Sequence, residues 1–363
     1  MWVVSLSAAV HPKFCYSDAA LLLVCGMFRE DLSWLRYVFL YTTHLMRNVT
    51  LMIFDNYGRP VLNLRISVTQ KCDKHCPYCH REGETNPSTL MTVDEIVRIV
   101  RIAISLGISR VKLTGGEPLL RKEIVEIVGG INGLEGLTDL SMTTNGTHLK
   151  GLAKDLKKAG LKRVNVSLPT LDPDVYNDVM GGDLQDAIDG VRAAVEAGLH
   201  PVKVNMLFLK NVNDGEIDKM IKFAAETGTI LQLIELEPIN LSKTYYERYH
   251  LGLDEIAQKL EKLASETRVR KYMQKRRIYF LPKVKVEVIR PIENTEFCAN
   301  CTRIRVTSDG KLKPCLMRKD NLVDILTPMR NGADDKKLTE IFIEAVKKRE
   351  PYYRVTQTSK VTA

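Results

Sequence analysis

No stretch of the 363 residues approaches the roughly 18 uninterrupted apolar positions that a membrane-spanning helix needs. Disulfides are equally ill served, because eight cysteines are too sparse for a stapled secreted scaffold. Low-complexity segments are missing, and so is any repeat beyond an alternation of strands and helices. With 45% hydrophobic and 27% charged residues, the composition excludes disorder, collagen and coiled coil. A chain of this length should remove about three-quarters of its unfolded surface from water, so its core needs no staples. A soluble, cytoplasmic protein is expected. Its 53 Lys and Arg against 44 Asp and Glu, a net charge of +9, serve solubility or a polyanionic ligand.

From Val61 onward the pattern is regular. Apolar runs at 62–69, 111–114, 137–143, 164–168, 202–209 and 230–236 alternate with amphipathic stretches. Thr92-Val-Asp-Glu95 has the form of a capping box, and Gly107, Gly198 and Gly228 stand where helices should end. Runs rich in Val, Ile and Leu on both faces point to a parallel sheet covered by helices. Six strand–helix units predict an α/β fold, a partial (β/α)6 TIM-like barrel over about 52–240. An open doubly wound sheet is the competing arrangement. In a barrel the chemistry sits just after each strand.

Residues 1–51 read as an extension outside the core. Arg29, Glu30, Asp31 and Arg36 interrupt its apolar runs, which suits neither a signal peptide nor an anchor, and Met46 and Met52 are alternative starts. Residues 241–363 form a C-terminal region, with a helix expected at 254–263, a hairpin at 277–281 and 283–289, and a last helix at 337–348. Between Arg268 and Arg290 nine basic residues accompany one acid, Glu287. Such a run is either a solvated face or the lining of an anionic pocket.

Two cysteine triplets carry the chemistry. Cys72, Cys76 and Cys79 occupy one short loop after the first strand, and three thiolates can hold three irons of a [4Fe–4S] cube, leaving the fourth iron open. A zinc site recruiting His75 or His80 is the alternative. Cys298, Cys301 and Cys315 form the second triplet, again without an obvious fourth ligand. Arg303 and Arg305 follow it at alternate positions of an extended segment, so both guanidiniums share a face suited to a phosphate or triphosphate. A structural zinc or Fe–S knot with two surface arginines is the plainer reading.

The spacing C-x3-C-x-Tyr78-C, together with Gly115-Gly116-Glu117-Pro118 after the second strand, resembles the radical S-adenosylmethionine superfamily. Arg65 in Leu-Arg-Ile-Ser, Thr143-Thr-Asn-Gly, Val166-Ser167-Leu and the Cys-x2-Cys-Thr-Arg303-Ile-Arg305 run narrow the resemblance to the GTP 3′,8-cyclase family over about 52–353. That resemblance implies a lyase with two [4Fe–4S] clusters, one on each triplet, and S-adenosyl-L-methionine. Its cofactor donates an adenosyl radical that takes hydrogen from an unactivated carbon. The product would be (8S)-3′,8-cyclo-7,8-dihydroguanosine 5′-triphosphate, the first step of molybdenum cofactor biosynthesis. Tyr78, Gly116, Glu117 and Ser167 would contact S-adenosylmethionine, Glu117 through its amino group. Arg65, Lys112, Thr143, Lys203, Arg303 and Arg305 would bind GTP. Cations inside strands are costly unless an anion pairs with them, either the triphosphate or a rim carboxylate.

A reducing electron donor and a cyclic pyranopterin monophosphate synthase that takes the product are the implied partners, with no nucleic acid and no membrane; a homodimer is one of the states this allows. Two other functions compete. One is a radical enzyme with an auxiliary cluster that modifies a peptide or small molecule; the other is a metal-stabilised nucleic-acid-binding protein using the 268–290 run. The chain departs from the family in ending Ser359-Lys-Val-Thr-Ala363 instead of Gly-Gly, and in Glu235-Leu-Glu237 where many members carry a Met.

Overall fold

The computed structural model describes residues 52–84 and 89–353. The expected extension at 1–51, with Cys15 and Cys25, and the tail from 354 lie outside the described residues.

Each of the six apolar runs folds as a strand: β1 (Asn63–Ser67), β2 (Arg110–Thr114), β3 (Asp139–Thr144), β4 (Arg163–Ser167), β5 (Lys203–Phe208) and β6 (Ile230–Glu235). They are parallel neighbours in chain order. The helices between them are α1 (Val93–Ser105), α2 (Ile124–Asn132), α3 (Leu149–Ala159), α4 (Pro173–Met180), α5 (Leu184–Glu196) and α6 (Ile217–Thr227). The capping box that opens α1 is complete. The Glu95 N–H donates to the Thr92 hydroxyl at 3.2 Å, and the Thr92 N–H donates to the Glu95 carboxylate at 2.7 Å. Gly107, Gly198 and Gly228 follow their helices with φ of +83°, +74° and +67°.

The strands are not apolar on both faces. Leu64, Ile66, Leu113, Met142, Val164, Val166, Val204, Met206, Leu231 and Leu233 are buried on one side. Between them alternate Arg65, Lys112, Ser141, Thr143, Asn165, Lys203, Asn205 and Gln232, which line a cavity. Successive side chains of a strand point to opposite faces. The apolar face packs under the helices, and the polar face makes a chamber where a closed barrel would have packed layers.

The sheet does not close. Beyond β6 it continues with β9 (Val284–Ile289), parallel to β6, then with antiparallel β8 (Arg277–Leu281) and β7 (Glu266–Val269). Beyond β1 it continues with β10 (Arg303–Val306), parallel to β1, then β11 (Lys311–Lys313) and β12 (Val323–Asp324). Among the described residues this is one twelve-stranded sheet, to whose two edges the residues after 240 return. The expected later helices are present as Asp254–Leu263 and Asp335–Lys347. Among the described residues no helix is long and apolar enough to cross a membrane.

Candidate active site

The polar faces of β1–β6 enclose a cavity of about 310 Å³. Eleven Lys or Arg line it against five Asp or Glu, so the chamber is strongly electropositive. Arg65, Lys112, Thr143, Lys203, Arg303 and Arg305 all border it, and so do Cys72, Cys76, Cys79, Tyr78, Gly116, Glu117 and Ser167. Every residue expected at the cofactor and substrate sites therefore faces one chamber, except the second triplet. There the lining comes from the neighbours Phe297, Arg303 and Leu316.

The first cysteine loop is held by the two turns that follow β2 and β3. The Gly116 N–H donates to the Thr69 carbonyl and the Glu117 N–H to the Lys71 carbonyl, each at 2.7 Å. A Cβ on Gly115 would stand 2.2 Å from the Thr69 carbonyl oxygen, and one on Gly116 2.2 Å from that of Lys71. The two glycines thus admit the backbone leading into the cysteine loop, a close approach of chain to chain. Glu117 is buried and fully engaged. Its carboxylate accepts from the Leu119 N–H at 2.9 Å, the Thr144 hydroxyl at 2.7 Å and the Asn145 N–H at 2.7 Å, while burial pushes its pKa up to about 7. Asn145 in turn donates from Nδ2 to Asp73 at 2.7 Å. Thr143-Thr-Asn-Gly therefore grips the loop beside Cys72. Tyr78 donates its hydroxyl to the Met180 sulfur at 3.0 Å, and that sulfur lies 3.3 Å from Cys76 Sγ.

The cations of the floor are not alike. Lys203 pairs with Glu287, which is completely buried and also receives Gln232 Nε2 and, at 3.3 Å, Arg270 Nη1. Its counter-ion is a protein carboxylate on β9, and burial still lowers its pKa to about 8. Lys112 donates to Asn165 Oδ1 at 2.9 Å; burial, then Arg163 and Arg65, push its pKa well down. For Arg303 burial, then Arg276 and Arg65, act in the same direction. Glu82, unremarked in the sequence, binds Arg65 Nη1 at 3.2 Å and also Arg305 Nη1. Burial alone would raise its carboxyl, but Arg305 and Arg65 hold it well below the usual carboxylate range. Of the basic run, Arg270 and Arg276 enter the lining.

The second triplet assembles from the helix Thr295–Ala299, the short link between that helix and β10, and the turn after β11. Cys298, Cys301 and Cys315 lie near enough for each of the first two to raise the Cys315 thiol, after burial. Cys301 is the exception among the six: burial would raise its pKa, but Arg349, Arg303 and Arg59 together lower it. All six thiols are free. Among the described residues no three ligands are drawn together as a preformed single-ion site, but each triplet offers three unpaired thiols, one set on the cavity wall and one beside cavity-lining Arg303, the donor type and number for a cluster with one open iron.

Comparison with known proteins agrees with this geometry. The Radical SAM superfamily matches residues 66–224, and Molybdenum Cofactor Synthesis C matches 229–355. A probable GTP 3′,8-cyclase of Thermococcus kodakarensis is 53% identical over 311 residues, covering 84% of this chain and 100% of the relative. One from Methanothermobacter thermautotrophicus is 46% identical over 301 residues, 82% and 98% of the two chains. Among solved structures, Streptococcus suis SuiB bound to S-adenosylmethionine superposes with a TM-score of 0.55 at 18% identity, covering 81% of this chain and 68% of that one, a likeness of fold. Over nearly the full length of its relatives, with the first cysteine triplet on the wall of one cationic chamber and the second just behind its lining residues Phe297, Arg303 and Leu316, this chain belongs to the GTP 3′,8-cyclase family of radical S-adenosylmethionine enzymes.

Proposed function

We propose that the protein cyclises GTP to 3′,8-cyclo-7,8-dihydroguanosine 5′-triphosphate within this chamber, the first step of molybdenum cofactor biosynthesis. The observation that carries this reading is a row of three cations on adjacent strands. Arg305 of β10 stands in register with Arg65 of β1, and Arg65 with Lys112 of β2, all three lining the cavity. Such a row fits a triphosphate, and Arg presents paired donors to phosphate oxygens. Cys72, Cys76 and Cys79 would hold one [4Fe–4S] cluster, and Cys298, Cys301 and Cys315 the other. When bound, the first cluster and S-adenosylmethionine would supply the radical that takes hydrogen from ribose C3′; joining C3′ to guanine C8 would then require one further electron, from the reducing donor, and a proton to reach the 7,8-dihydro product.

The chain's own residues bind, orient and exclude water. Gly116, Tyr78, Glu117 and Ser167 border the cofactor's side of the chamber, with Glu117 acting through the turn it fastens. Arg65, Lys112, Thr143, Lys203, Arg303 and Arg305 border the nucleotide's side. Lys203 works as one member of the Glu287 cluster. An electron donor and a synthase that consumes the product complete the reading, which also places the protein in the cytoplasm.

Anaerobically reconstituted protein given dithionite, S-adenosylmethionine and GTP should release 5′-deoxyadenosine only when GTP is present. Release that ignores GTP, or a peptide that replaces it, overturns the assignment.

A further inference from the structure

Glu82 lies three residues beyond the last cysteine of the first triplet, in a turn where Arg81, Glu82 and Gly83 have φ of +47°, +51° and +69°. The left-handed region is sparsely used by non-glycine residues, and two in succession need a surrounding reason. The turn is fastened at both ends. The Glu82 N–H donates to His80 Nδ1 at 2.9 Å, and Lys313 Nζ donates to the Gly83 carbonyl at 3.2 Å. This backbone turns the Glu82 side chain inward, where it is 5% exposed and borders the cavity.

There it spans three strands. Oε1 accepts from Arg65 Nη1 of β1 at 3.2 Å and from the Thr114 hydroxyl of β2 at 3.0 Å, and Oε2 accepts from Arg305 Nη1 of β10. Arg65 and Arg305 are register partners on neighbouring strands, so their like charges repel at close range. A carboxylate between them reverses that repulsion and fixes both forks. Each guanidinium commits one nitrogen to Glu82 and retains further N–H donors. Charge neutralisation does not account for the arrangement, since the chamber keeps eleven cations against five acids, Glu82 included.

We propose that Glu82 is a positioning residue that sets Arg65 and Arg305 to receive the phosphate chain of the substrate; this rests on the reading of GTP as substrate. The strained turn just after the first cysteine loop is what delivers it. Glu82 thereby links the first cysteine loop to the strand that follows the second triplet.

The test uses the anaerobically reconstituted holoprotein and equilibrium dialysis with GTP and with guanosine. Glu82→Gln keeps the shape and loses the charge; Glu82→Gly loses the side chain, and relief of the left-handed strain offsets part of the cost of leaving Arg65 and Arg305 facing each other, so urea unfolding first establishes that both variants are folded under the dialysis conditions. GTP affinity should fall about tenfold or more in Glu82→Gly, the worth of a charged hydrogen bond, and less in Glu82→Gln, with guanosine affinity unchanged in both. A subsequent Arg65→Ala should then cost less GTP affinity than it does in the wild-type protein, because the two residues act as a unit. Unchanged or tighter GTP binding in both variants overturns the proposal, because it would mean that Glu82 merely competes with phosphate. Equal affinity of the wild-type protein for GTP and guanosine overturns the substrate reading instead.

Discussion

The Arg349 guanidinium stands 3.0 Å from the Asp55 carboxylate, and both side chains are buried. Asp55 also holds Arg59 at 2.8 Å. The two arginines then reach the second triplet from behind: Arg59 Nη1 donates to the Cys298 carbonyl at 2.8 Å and Arg349 Nη2 to the Cys301 carbonyl at 2.6 Å. Replacing Arg349 by Met takes its donor from the Cys301 carbonyl, while Asp55 keeps Arg59 Nε and the Tyr57 and Arg59 N–H groups. The loss should be about 1–3 kcal/mol in urea unfolding. Iron should be lost from the second cluster first, so iron content per chain should drop by up to half. A variant with wild-type stability and iron content would contradict this.

Lys112 predicts opposite effects on stability and binding. Its partner is the neutral Asn165, so Lys112→Met removes a buried charge that no carboxylate faces at hydrogen-bond range. Thermal unfolding should show the variant more stable by about 1–3 kcal/mol, while GTP affinity falls about tenfold. The sign with pH is fixed. Burial holds the folded pKa well below lysine's ordinary 10.5, so the unfolded chain binds the extra proton. Wild-type stability should therefore gain from this group as pH rises through that window, and Lys112→Met should lack the gain.

Glu84 offers a clean pH test. Three of its donors, Gln70 Nε2 at 2.8 Å, the Ser308 N–H at 3.0 Å and the Ser308 hydroxyl at 2.9 Å, reach the same oxygen. Gln can keep that acceptor and drop the charge. Burial raises the folded pKa from 4.5 to about 7, so the contribution of this group is fully present below pH 4.5 and lost as pH rises through 7. Glu84→Gln should match the wild type at pH 4.5 and exceed it by about 1–3 kcal/mol at pH 8, read by urea unfolding at both values. A constant difference across the range would count against it.

Gly116 should tolerate no side chain. Its Cβ would meet two carbonyl oxygens, Lys71 at 2.2 Å and Gln70 at 2.6 Å, and neither is the end of a flexible side chain. Gly116→Ala should displace the loop that carries Cys72 and lower iron from about eight per chain toward four, by loss of the first cube. Colorimetric iron assay and the visible cluster absorbance measure this. Full iron loading would show that the loop yields without harm.

What could be read from the sequence was local. The cysteine spacings, the Thr92 capping box and the helix-ending glycines each depend on neighbours a few positions apart, and the cations Arg65 and Lys112 announced themselves by sitting inside strands. The partners could not be read, because the fold chooses them. Glu82 and Arg305 are 223 residues apart, and Arg59 and Cys298 are 239 apart. Glu287 stood out as the single acid in a basic run, but its meaning required β5, β6 and β9 to lie side by side, which brings Lys203 to it from 84 residues away. The polar inner face escaped for a related reason. A five-residue strand with one charge at its centre still scores as an apolar run.

Strand β10 lies against β1, and Asn63 Nδ2 bonds the Thr302 hydroxyl 239 residues later in the chain. During translation β1 must therefore wait, one hydrogen-bonding edge bare, until most of the polypeptide has left the ribosome. The part of the chamber wall that sets Arg305 beside Arg65 is therefore completed only when β10, near the end of the polypeptide, becomes available to pair.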